Sequence, residues 1–164
     1  MLILGIDPGL ATIGLGLIEV RSNVDMDAID WLTINTKPGV LSERLLEISR
    51  DLTEFLQNKK PELAVIERLF FATNEKTALD VAHARGVILS TVAQFGIPVI
   101  EPTPLQMKLA ITGDGQADKL QVQTMLKHLL KLEDIPTPDD AADALALAVY
   151  GALQQQSVAR ASRP

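Results

Sequence analysis

The stretch Leu2-Ile3-Leu4-Gly5-Ile6-Asp7-Pro8-Gly9 decides the reading of the fold: an apolar run ends on a carboxylate and then on a turn-forming tripeptide. Such a run reads as a central strand. Asp7 closes it, at a place where an unpaired carboxylate is costly to bury. Two further runs follow, Thr12 to Val20, punctuated by Gly14 and Gly16, and about Ala28 to Thr36, so residues 1–36 predict an antiparallel meander.

Outward from there the pattern changes period. Leu41, Leu45, Ile48, Leu52 and Phe55 recur at helical spacing, and Lys59-Lys60-Pro61 ends that helix. Leu63-Ala64-Val65-Ile66 is a short unbroken apolar run, the signature of a strand buried on both faces, and is expected to lie parallel to the first. Glu67 ends it. A helix is predicted from about Thr73 to Phe95, a short strand over Ile97 to Ile100, and helices over 103–110, 116–131 and 138–154, with Gly113-Asp114-Gly115 as the loop between the first two of these. The order predicts an α/β fold, a mixed five-stranded sheet with helices on both faces, in a single domain over 1–154. The polar stretch 155–164 is expected to be a disordered tail.

Composition narrows the chemistry. The chain contains no cysteine and only two histidines, His83 and His128, so disulfides and thiolate zinc sites are excluded and a metal would sit on oxygen. The amino terminus has no basic leader, and no apolar stretch approaches the roughly 20 residues needed to span a bilayer, so a cytoplasmic protein without a membrane partner is expected. The net charge of -6 opposes nucleic-acid binding by bulk electrostatics. Residues 102–131 run the other way, with Lys108, Lys119, Lys127 and Lys131 against Asp114 and Asp118, which leaves room for a local basic groove.

Each acidic residue has an ordinary reading beside the chemical one. Asp7 opens an Asp-Pro-Gly turn, where a side-chain to backbone hydrogen bond explains it. Glu67, at a strand end, is explained by solvation. In Thr137-Pro138-Asp139-Asp140-Ala141-Ala142-Asp143, a cap and an acidic first turn complement the helix dipole without further purpose. Asp143 is different, because it lies inside an Ala/Leu helix and shares a face with Asp140 at i−3 or Asp139 at i−4. Spacing alone does not choose between them. Together, two strand-end acids at one sheet edge and two helix acids supply the hard oxygen ligands that paired magnesium or manganese ions require. Without cations their like charges repel and raise one another's pKa.

The motifs in order, Leu4-Gly5-Ile6-Asp7-Pro8-Gly9, Ile66-Glu67-Arg68-Leu69-Phe70, Ala84-Arg85-Gly86-Val87, Gly113-x-Gly115-x-Ala117-x-Lys119 and Asp140-Ala141-Ala142-Asp143-Ala144-Leu145-Ala146, resemble the RuvC-type Holliday junction resolvases of the ribonuclease H-like superfamily. The resemblance covers nearly the whole chain. It implies a ribonuclease H-like fold and a catalytic, metal-binding tetrad of Asp7, Glu67, Asp140 and Asp143, and it selects Asp140 over Asp139, which becomes a capping or supporting residue. Lys108 and Lys119 fall where the family places functional lysines, which implies DNA contacts for both and a catalytic part for Lys119. Phe70 is assigned to stacking on an unpaired base and Phe71 to packing.

The resemblance further implies a magnesium-dependent endonuclease with two ions per site, which manganese can replace. Its substrate is four-way junction DNA, cut by symmetrical paired nicks that leave 5'-phosphate and 3'-hydroxyl ends in recombination and repair. A homodimer paired through the 73–95 helix and work alongside the RuvA and RuvB branch-migration proteins are also implied. Two other classes remain: a non-catalytic junction-binding module, and an actin-like ATPase, whose phosphate-binding turns are similar to Gly5-Ile6-Asp7-Pro8-Gly9 but which needs a longer chain.

Overall fold

In the computed structural model, which describes residues 1–22, 25–68 and 75–161, the chain forms five strands and five helices. The strands are β1 Leu2–Asp7, β2 Thr12–Ser22, β3 Asp25–Asn35, β4 Leu63–Ile66 and β5 Val99–Ile100; the helices are α1 Leu41–Lys59, α2 Glu75–Gln94, α3 Pro104–Thr112, α4 Lys119–Leu129 and α5 Asp139–Ala161. The sheet order is β3-β2-β1-β4-β5. The first three strands form the expected antiparallel meander, and β4 pairs parallel with β1 on its other side. One core, containing Leu4, Ile6, Ile48, Leu52, Ala84 and Ile88, lies under α1 and α2; the other, containing Ile3, Val65, Met107, Leu126 and Leu145, lies under α3, α4 and α5. Helices therefore cover both faces.

Boundaries shift for local reasons. β3 starts at Asp25, earlier than its apolar residues indicate, because tertiary cations neutralise its acids: Arg21 pairs with Asp27, Lys131 with Asp25 at 2.7 Å and Lys59 with Asp30 at 2.8 Å. Charges along this edge strand also discourage pairing with another chain. β5 is shorter than predicted because Pro98 has no N–H for the ladder, although its carbonyl still accepts from Ala64 at 3.0 Å. α4 begins only at Lys119, since Asp118 forms a capping box with Gln121. α5 does not stop near residue 154. It continues to Ala161, so much of the expected tail is helical, consistent with an Ala- and Gln-rich sequence free of Gly and Pro there.

What sets the position of α5 is its contact with the sheet. Its inner face is a series of fully buried small residues, Ala141, Ala144 and Ala148, and it lies on β1 and β2 where those strands carry glycine. A Cβ at Gly5 would lie 1.9 Å from the Ala144 carbonyl oxygen, and one at Gly14 would lie 1.9 Å from that of Asp140. Neither distance leaves room for a methyl group. Gly5→Ala should therefore destabilise the fold by about 3 kcal/mol, at the upper end for overpacking, read as a lower urea midpoint. An unchanged midpoint would mean that α5 does not ride on the strand.

Candidate active site

β1 and β4 run parallel with Ile6 opposite Ile66, so the next residues, Asp7 and Glu67, end the two strands side by side. The Glu67 N–H reaches the Ile6 carbonyl at 3.4 Å. Asp7 is also paired with Gly14 of β2, over which the backbone of Asp140 rests, so the first turn of α5 is brought to the same edge. Asp143 follows one turn later. α3 and α4 close the other side of an open cleft of about 210 Å³, whose lining includes Asp7, Glu67, Asp143, Lys108 and Lys119.

This concentration of negative charge shows in Asp7. Burial first, then the charges of Glu67, Asp143 and Asp140, push its carboxyl up from 3.8 to about 8, with Lys119 acting in the opposite sense. Burial and Asp143 raise Glu67 as well. Asp143 is raised by burial despite Lys119, whose ammonium donates to its carboxylate at 3.2 Å. Asp140 lies within electrostatic reach of Asp7 and Asp143 but is not part of the cleft lining.

The donor set suits a hard divalent cation, with oxygen ligands from two strands and a helix and an aspartic acid that ionises with difficulty unless positive charge is supplied. Among the described residues, no three acidic or histidine side chains stand together in ligand geometry. Lys119 Nζ lies 3.2 Å from both Asp143 and Asp139 and so partly neutralises the helix acids. Lys119 sits in the first turn of α4, where the helix dipole disfavours a cation, so its placement is offset by these two partners.

Of the residues singled out in the sequence, Asp7, Glu67, Asp143, Lys108 and Lys119 meet in the cleft, and Asp140 stands beside it. Asp139, the alternative partner of Asp143, shares the Lys119 ammonium. Lys131 is occupied with Asp25 and takes no part. Phe70 and Phe71 lie outside the described residues. Sequence reasoning missed two supporting contacts. The Trp31 indole donates to the Thr137 carbonyl at 3.2 Å and tethers the entry to α5, and Arg85 Nε donates to the Glu67 carbonyl at 2.9 Å. Arg85 was visible within a motif; no local pattern marked Trp31.

A mixed five-stranded sheet covered on both faces, with acids gathered where β1 and β4 end, places the chain in the ribonuclease H-like class. The family model "Crossover junction endodeoxyribonuclease RuvC" matches residues 3–151, and the chain belongs to that family. Curated relatives with that name are 48% identical over 91% of this chain and 90% of the protein in Desulfitobacterium hafniense, and 45% identical over 96% of both chains in Caldicellulosiruptor saccharolyticus. Among solved structures, T. thermophilus RuvC in complex with a Holliday junction substrate matches with a TM-score of 0.91 at 32% identity, covering 96% of each chain. The family activity is that of a crossover junction endodeoxyribonuclease.

The raised Asp7 carboxyl sets a direction for stability against pH. The folded state keeps a proton that the unfolded chain releases near 3.8, so this group's contribution falls as pH rises from there to about 8. With chelator present, the melting temperature should drop across that window. Asp7→Asn, which carries no titrating proton, should reduce the drop and melt higher than the parent at about pH 8. An equally steep decline in the variant would remove Asp7 as its source.

Proposed function

We propose that residues 1–154 form a single nuclease domain that resolves four-way DNA junctions by hydrolysing phosphodiesters with two divalent ions, magnesium in the cell and manganese as a substitute. Asp7, Glu67, Asp140 and Asp143 would hold the ions. When bound, they would supply activation of water for in-line attack and stabilisation of the departing 3' oxygen. The observation that carries this reading is the meeting of Asp7, Glu67 and Asp143 in one cleft, with Asp140 near enough to help raise the Asp7 carboxyl. The products would have 5'-phosphate and 3'-hydroxyl ends.

The chain's own residues would divide the work. Asp7 and Glu67, on adjacent strand ends, form the rigid side of the site; Asp140 and Asp143 bring the helix side to it. Lys119 would leave Asp143 as metal arrives, keep Asp139 as its partner and face the developing charge on the phosphate. Lys108 lines the same cleft and, among the described residues, has no acidic partner, which suits a contact to the scissile strand. Phe70 would stack on a base at the crossover. These local cations would offset the net charge of -6.

A junction with approximate two-fold symmetry calls for two sites related in the same way, so the working form would be a homodimer. α2 supports this. Ala84, Ile88 and Val92 turn into the core while Leu79 remains 68% exposed. The enzyme would act in the cytoplasm alongside RuvA and RuvB, and among the described residues no helix is long and apolar enough to cross a membrane.

Asp7→Asn should reduce magnesium-dependent cleavage of a synthetic four-way junction by at least roughly a hundredfold, while junction binding in chelator persists; near-normal cleavage would refute the mechanism. In manganese calorimetry the parent should bind more metal than Asp140→Asn. Equal binding by the two would favour the non-catalytic junction-binding module. Replacing Lys108 and Lys119 together with Glu should weaken junction binding and reduce the slope of log affinity against log salt by about 2. Unchanged affinity would move the DNA to another surface.

A further inference from the structure

Arg85, within the Ala84-Arg85-Gly86-Val87 motif, is left without a task by the nuclease reading. It projects from α2, and its side chain is only 14% exposed. A charge so enclosed is costly unless its donors are used. They are used at the ends of two strands. Nε donates to the main-chain carbonyl of Glu67 at 2.9 Å, and the terminal nitrogen pairs with the Glu101 carboxylate. Glu67 follows the last residue of β4, and Glu101 the last residue of β5.

The Glu67 carbonyl needs such a donor for a reason written in the first motif. In the parallel β1–β4 ladder the Glu67 N–H donates to Ile6, and on the same register its carbonyl would accept from the main-chain N–H of residue 8. Residue 8 is Pro8, which has none. The carbonyl of a half-buried strand end would thus lack its ladder partner. Arg85 provides the missing donation, while Glu101 holds the guanidinium from the other side. Arg85 does not line the cleft.

We propose that Arg85 is the positioning residue for Glu67. Together with Ile6 it occupies both main-chain hydrogen-bonding groups of Glu67, and so fixes the direction in which that carboxylate leaves the sheet edge toward the metal site. The asymmetry is informative: Asp7 gains its position from strand pairing on β1, whereas Glu67 relies on a side chain from a helix. The planar fork of arginine suits this task, because one group must reach a carbonyl and a carboxylate at once; a lysine ammonium is a single point.

The inference rests on Glu67 being a metal ligand, and the test separates the two ideas. Manganese binding is measured by calorimetry on the full chain for Glu67→Gln, Arg85→Lys, Glu101→Gln and a core truncation on the same helix, Val92→Ala. Arg85→Lys should weaken manganese binding about tenfold, the size expected when a partner that orients a ligand is lost, with junction affinity in chelator unchanged. Glu101→Gln, which frees the fork without removing it, should give a smaller shift in the same direction and serves if Arg85→Lys does not fold. Val92→Ala should lower the urea midpoint and leave manganese binding unchanged. If Arg85→Lys and Val92→Ala weaken manganese binding alike, Arg85 supports only the fold and the proposal falls. If Glu67→Gln weakens it and neither Arg85→Lys nor Glu101→Gln does, the positioning role falls and the metal reading stands. If Glu67→Gln has no effect, both fall.

Discussion

The backbone of α5 lies directly on the glycine-bearing surface of β1 and β2, and the arrangement of the acids follows from that contact. With no side chain at Gly5 or Gly14, and alanines facing them, helix and sheet approach to a distance that a methyl group would forbid. The first turn of the helix therefore comes to rest over the strand that pairs with Asp7. Moving the helix outward by the width of a methyl would carry Asp140 and Asp143 away from Asp7 and Glu67. The same contact buries much of one core, so the interaction that stabilises the fold is also the one that concentrates negative charge.

Concentrated charge has a cost, and it shows in the side chains themselves. Asp7, the most enclosed of the acids, has its carboxyl raised to about 8, and Lys119 pairs with both Asp139 and Asp143. A stability-driven design would place apolar residues there instead. Such a cluster is chemically better suited to meeting positive charge than to stabilising the fold. The supporting contacts follow the same plan, since Trp31 restrains the chain entering α5 and Arg85 restrains the end of β4.

Much of the fold was legible because its strands announce themselves. The apolar runs from Leu2 and from Leu63 gave the central parallel pair, and Asp7 and Glu67 were readable as strand-end acids. Periodicity was least informative where tertiary contacts override local pattern: the acidic start of β3 is held by Arg21, Lys131 and Lys59, cations distant in sequence or on another strand. The helix acids were ambiguous for a physical reason. Asp139 and Asp140 are equally good in a first turn, and it took the family resemblance to prefer Asp140. The structure adds that Asp139 has a partner of its own in Lys119. Trp31 and the carbonyl work of Arg85 were invisible, because each joins a side chain to a main-chain atom many residues away.

The most direct test of the central claim, that this acidic edge is a divalent-metal site serving a DNA crossover, is a side-by-side magnesium titration on a four-way junction and a linear duplex containing the same sequences. The account predicts paired symmetrical nicks in the junction that rise with magnesium and vanish in chelator, while the duplex stays intact. Equal cutting of both substrates, or junction cutting that is indifferent to chelator, would contradict it.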